Sequence, residues 1–289
     1  MTCPAVSETQ AVEDLLVTIL KKLENRDFDL PPLPQVASEV LVLSSNPYAN
    51  ATKLATLIQQ DPVLTAKIFQ SANSLAYGSP RNIESLPQAI AWLGLNHLAG
   101  TAFSLSMQSK VFQTRGYEPE VKNLWKHALA TGFFGKTIAD HIGQNADLAF
   151  LCGLLHAIGK PFVVHTVIQS RRPSDPPLPW SAILTLMKES YIEVGRHLGE
   201  AWGFPDSVKE AIALHEEHAY HQATSASKVA PITCLAAQLA SHLLDSDHPT
   251  QAAILGHPVG RHLKLEQADI QAILDLKHAI KAKVESMLL

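Results

Sequence analysis

The chain has 289 residues, 46% of them hydrophobic, a net charge of −4 and three cysteines. That is enough apolar material for one large or two modest domains, and it excludes disorder as the overall state. The charge leaves no basic footprint for nucleic acid, and an odd cysteine count argues against a disulfide framework.

Cys3, Cys152 and Cys234 lie far apart with no CxxC between them, which fits a reducing cytoplasm. The N-terminus, MTCPAVSETQ, shows no basic stretch followed by an apolar core, so no signal peptide is expected. No run of about 18 apolar residues is evident, so no membrane span is expected.

Helical periodicity runs through the whole chain. Val12, Leu15, Leu16, Ile19, Leu20 and Leu23 form one apolar stripe, Val36, Val40 and Leu43 another, and Leu54 and Leu57 a third. Asp61-Pro62 predicts a helix start, with the carboxylate capping and the proline at the first helical position. That helix runs to Ala72 and stops at Asn73-Ser74. Ser85 caps the next segment, which Gly94 ends, and Leu95 to Met107 reads as a further helix.

Gly116 marks a change of subdomain. Helices are expected over 119–141 and 146–156, then an exposed Pro-rich loop over 171–179. Segments 180–187, 193–202, 207–218, 230–244 and 267–287 complete an all-α reading. No convincing period-two stretch appears, so no sheet is expected.

No GxSxG, P-loop or GxGxxG occurs, which removes nucleophile-elbow and nucleotide-loop chemistry. Fourteen histidines raise the question of metal. His215 and His218 are three apart and can share a helix face, but HEEH lacks the HExxH spacing. His97, His141 and His197 are scattered.

The octapeptide Gly153-Leu154-Leu155-His156-Ala157-Ile158-Gly159-Lys160 resembles the core motif of the HD superfamily of metal-dependent phosphohydrolases, with alanine at 157 in place of aspartate. Leu30-Pro31-Pro32-Leu33-Pro34, Asp61 to Lys67, Ser71-Ala72-Asn73-Ser74, Ala76-Tyr77-Gly78 and Ile83 to Gly94 follow in an order and spacing similar to the HDOD domain, the HD-related output domain of bacterial signalling proteins. Trp125-Lys126-His127, Glu193 to Pro205 and His215-Glu216 extend the likeness to residues 25–225.

The resemblance implies an N-terminal helix over 1–24 and an HDOD domain over 25–225. The domain divides into an N-terminal helical subdomain, 25–115, and an HD-like subdomain, 116–225. Helices of 226–289 would pack on the latter. It also implies vestigial ligand positions His127 and His156, with Ala157 and Ala237 standing where carboxylates would be. A two-histidine remnant holds hard cations poorly, so no catalytic residue, metal or cofactor is expected.

The expected function is a cytoplasmic, non-catalytic signal-transduction scaffold acting through signalling proteins, with no nucleic acid or membrane as partner. The alternative is a residual phosphohydrolase or nucleotide-binding protein using the HD cleft, where a small molecule or nucleotide would bind. Asn73, Tyr77, Trp202 and His215 are candidates for a binding groove. The junction of the two subdomains and the Pro-rich loop from Arg171 to Trp180 are candidate protein-binding surfaces. His127 and His156 are expected to face each other across packed helices, with side chains roughly 10 Å apart or less.

Overall fold

The computed structural model describes residues 58–74, 83–94, 115–172, 177–216, 219–223, 228–245 and 249–287, with isolated positions between 10 and 56 and between 98 and 106. Among the described residues every regular element is helical and no strand occurs. The proposed N-terminal stripes, Tyr77, His97 and His218 lie outside the described residues, as do residues 173–176 of the Pro-rich loop.

Helix α1, Pro62–Ala72, starts where the sequence places it: the Asp61 carboxylate accepts from the amides of Val63 and Leu64 at 3.1 and 3.0 Å. Helix α2, Leu86–Leu93, opens on a capping box in which Ser85 and Gln88 satisfy each other's backbone amides. Gly94, at φ +85, closes it in a conformation that a side chain would strain.

The second half is built around helix α3, Glu118–His141, which packs along helix α4, Ala146–Leu155, and helix α8, Val229–Leu244. Helix α5, Gly159–Gln169, packs on helix α6, Trp180–Ala201, and helix α7, Asp206–Leu214, bridges α6, α8 and α4. Asn145 caps α4 by accepting from the Leu148 amide at 2.9 Å. Short helices α9, Gln251–Leu255, and α10, Pro258–Leu263, lead to α11, Gln267–Asp275, and α12, Lys277–Met287. The last of these lies on α3 and also touches α1. One apolar core, with Phe103, Phe134, Phe150 and Phe162 at its centre, joins both halves.

The element boundaries differ from the sequence reading in five places, the first being the 207–218 segment, whose helix ends at Leu214. Residues 180–201 form one helix, because Ile183, Leu186, Met187, Tyr191, Val194 and Leu198 keep a continuous buried stripe and Ser190 donates back to the Leu186 carbonyl at 2.7 Å. The 267–287 segment breaks at Leu276. Helices α9 and α10 were not anticipated, being too short to show a period. Helix α5 was also missed.

Ala146–Gln169 is long and apolar enough by composition to cross a membrane, against the expectation that no such run exists. In the fold, 83% of its most apolar window is buried, and a turn at His156–Ile158 divides it into α4 and α5. Its apolarity is that of a core hairpin packed on all sides.

Candidate functional site

Two close backbone approaches set the site. A Cβ placed on Gly153 would stand 2.7 Å from the Gly132 Cα, so only glycines let α3 and α4 cross this tightly. A Cβ on Gly159 would collide with the Tyr191 carbonyl, which brings the first turn of α5 onto α6. The first contact draws His127 and His156 together; the second sets Lys160 beside Tyr191.

Their side chains line a cavity of about 310 Å³, together with His215, Glu216, Cys234, Ala237, Gln238 and Ser241. Three histidines form a chain across it. The ring centroids of His127 and His156 are 5.6 Å apart, and those of His156 and His215 are 4.8 Å apart.

Each ring is held by specific partners. His156 Nδ1 donates to the Gly153 carbonyl at 2.6 Å, leaving Nε2 as an acceptor. His127 Nε2 pairs with the Ser241 hydroxyl at 3.0 Å. His215 Nδ1 faces the Ala211 and Ile212 carbonyls at 3.0 and 3.1 Å and so carries a proton, while its Nε2 lies 3.0 Å from the Tyr191 hydroxyl. That hydroxyl also donates to Glu216 Oε1 at 2.5 Å. One phenolic proton therefore stands between two acceptors.

Burial governs the charges. It pushes His127 down to about 3 and His215 down to about 4, in each case with the Lys160 ammonium as the next cause. His156 is held well below the usual histidine range by burial, then by His215, His127 and Lys160. The rings are therefore neutral at neutral pH. Burial also lowers Lys160, which Glu216 opposes, and raises the Tyr191 phenol, which Glu216 raises further. The Lys160 ammonium rests 4.7 Å from the centroid of the Tyr191 ring.

A divalent cation does not fit this donor set. Ala237 lines the cavity and Ala157 is buried in the adjoining turn, and neither offers a lone pair. Among the described residues, no three His, Cys, Asp or Glu side chains are grouped to hold a metal ion. An ammonium occupies a wall of the same space, and its charge repels a cation.

The groove candidates divide. His215 lies in the cavity, but Asn73 and Trp202 do not. Asn73 is a structural clamp: its amide donates to the Ile83 carbonyl at 3.0 Å and accepts from the Ile83 amide at 2.7 Å. Trp202 ends α6 and packs against Phe204, with centroids 6.0 Å apart, away from the histidines. His141 pairs with Asp269 at 3.2 Å, which ties α3 to α11.

Sequence reasoning missed Lys160, Tyr191, Glu216, Gln238 and Ser241 as cavity residues. A signal existed for three of them. Lys160 follows His156 by four residues, and on α8 Ser241 follows Ala237 by four residues and Gln238 by three. Tyr191 and Glu216 are brought in by tertiary packing alone.

The HDOD domain model matches residues 30–218. This chain belongs to the HDOD domain family. A protein named as a metal-dependent phosphohydrolase from Shewanella amazonensis SB2B has the same fold, with 21% identity, a TM-score of 0.69, and 96% of this chain and 100% of that one covered. A protein named for signal transduction from Marinobacter aquaeolei VT8 gives 23% identity and a TM-score of 0.66 over 99% of this chain and 67% of that one. An uncharacterized protein of Treponema pallidum (strain Nichols) is 27% identical over 239 residues, 78% of this chain. The chain spans 45% of the length of that curated relative.

Proposed function

We propose that this HDOD protein is a non-catalytic regulatory module of a bacterial signalling system, working in the cytoplasm through contacts with signalling proteins. The observation that carries this reading is the cavity itself. Where HD chemistry needs carboxylates around a cation, this chain has Ala157, Ala237 and a half-buried ammonium. The name of the Marinobacter relative points the same way. Buried, reduced Cys152 and Cys234 suit a reducing compartment.

The test is elemental analysis of the purified protein together with hydrolysis of bis(4-nitrophenyl) phosphate in the presence of Mg²⁺, Mn²⁺ or Zn²⁺. The expected result is no stoichiometric metal and no turnover above that of a His156→Ala variant. Bound metal with turnover that the variant loses would restore the phosphohydrolase reading.

A further inference from the structure

The cavity presents polar groups that no other described residue pairs by a hydrogen bond. Among the described residues the Lys160 ammonium has its cation–π contact with Tyr191 but no hydrogen-bond acceptor. The Gln238 side chain lines the same space, also without a hydrogen bond to any described residue. His156 spends Nδ1–H on the Gly153 carbonyl, and no described residue donates to its Nε2. Lys160 and Gln238 are half-buried, and three polar groups that face one cavity with hydrogen-bonding capacity left over describe the complement of a ligand.

That complement has a definite chemistry. Three ammonium protons and an amide NH₂ ask for an anion with several acceptor oxygens. With its Nδ1–H spent on the Gly153 carbonyl, His156 Nε2 is left as an acceptor and asks for a donor proton. An oxyanion that satisfies both keeps one of its oxygens protonated. Carboxylates and sulfate do not qualify near neutral pH, because they present acceptors only. Hydrogen phosphate does qualify: P–O⁻ groups meet Lys160 and Gln238 while the P–OH donates to His156. The cavity of about 310 Å³ is at the small end of ligand sites.

We propose that the cavity formed by Lys160, Gln238 and His156 binds a phosphate group that still carries a P–OH proton, without a metal ion. This deepens the regulatory reading and rests on it, since it makes the vestigial cleft a sensor for a small anion. The positive charge that a cation would bring is supplied by Lys160. Free phosphate keeps a P–OH throughout the neutral range. A phosphate monoester loses its last proton near pH 6.

The experiment is isothermal titration of the full chain, stripped with a chelator, with inorganic phosphate at pH 7.5. Saturable one-to-one binding is expected, with sulfate weaker by about tenfold, the scale of one lost hydrogen bond. Lys160→Met should abolish binding and Gln238→Leu should weaken it, each with thermal melting as a check on folding. Methyl phosphate at pH 6 identifies the source: binding as tight as free phosphate assigns the natural occupant to a phosphate ester, and failure assigns it to the free ion. Absence of phosphate binding, equal affinity for sulfate, a requirement for added metal, or unchanged binding in folded Lys160→Met would each overturn the proposal. Turnover of the diester substrate would sink the non-catalytic reading while leaving phosphate binding intact.

Discussion

The ring of His156 stands edge-on to that of His215, centroids 4.8 Å apart at an interplanar angle of 79°, and His127 lies on its other side at 5.6 Å. Three imidazoles this close cannot all take protons in a buried site. The groups facing them are Lys160, Tyr191 and Glu216, of which Glu216 alone brings an anionic charge.

Acid should therefore destabilise the fold. All three rings are held below their ordinary value near 6.5, His127 at about 3, His215 at about 4 and His156 well down. The unfolded chain then binds more protons than the folded one below pH 6.5. Stability is full above that pH and falls as pH drops toward 4. Each ring contributes a slope of about 1.4 kcal/mol per pH unit, so together they approach about 4 kcal/mol per unit. Urea midpoints at pH 7 and pH 5 read this directly. Equal midpoints would mean that the rings are already protonated in the folded protein.

The glycine contacts predict sharp intolerance. Gly153→Ala pushes a methyl to 2.7 Å from the Gly132 backbone and from the Thr131 carbonyl, where no flexible side chain can yield. Overpacking against backbone of this kind costs at least about 1–3 kcal/mol. Gly159→Ala should be as severe, since the obstacle is the Tyr191 carbonyl. Gly143→Ala is the comparison, because nothing lies near its Cβ and only its φ of +67 is strained. Thermal melting should rank Gly143→Ala mildest; a Gly153→Ala variant that melts no lower would show that α3 and α4 do not cross so closely.

The same glycines show what was legible in the sequence. Helix starts at Asp61-Pro62 and Ser85 could be read from their caps, because capping is local. The His127–His156 pairing was also legible, through the motif around Gly153 to Lys160. Helix α5 was not, because α4 and α5 are apolar on every face and the period that marks a surface helix vanishes in a core hairpin. That Asn73 and Trp202 lie outside this cavity was not legible for a related reason. A polar amide at a turn and a large aromatic at a helix end look alike whether they bind a ligand or clamp the chain, and only the Ile83 and Phe204 contacts decide.

The Asn73 clamp can be tested apart from the cavity. Its side chain makes two hydrogen bonds to the Ile83 backbone and so fixes the segment that leads into α2. Asn73→Ala should leave both Ile83 groups unsatisfied and cost about 1–3 kcal/mol. Phosphate affinity should not change, since Asn73 lies outside the cavity lining. Hydrogen exchange should show faster opening around residues 83–94, and unchanged exchange there would deny the clamp its role.

Tyr191 combines two roles that substitution can separate. Its hydroxyl joins His215 Nε2 to Glu216 Oε1, and its ring carries the Lys160 ammonium at 4.7 Å. Tyr191→Phe removes the hydroxyl and keeps the ring. It should cost about 1–3 kcal/mol, the desolvation of two polar groups that lose a partner. Tyr191→Ala also removes the ring from beneath Lys160 and opens a void between α5 and α6, for a loss of about 3–5 kcal/mol. Burial and Lys160 are the leading causes of the low His215 value and remain in the Phe variant, so the His215 ring should stay neutral at pH 6 by NMR titration. Denaturant unfolding of the two variants gives the order. An Ala variant as stable as the Phe variant would mean that the ring supports neither Lys160 nor the packing of α5 on α6.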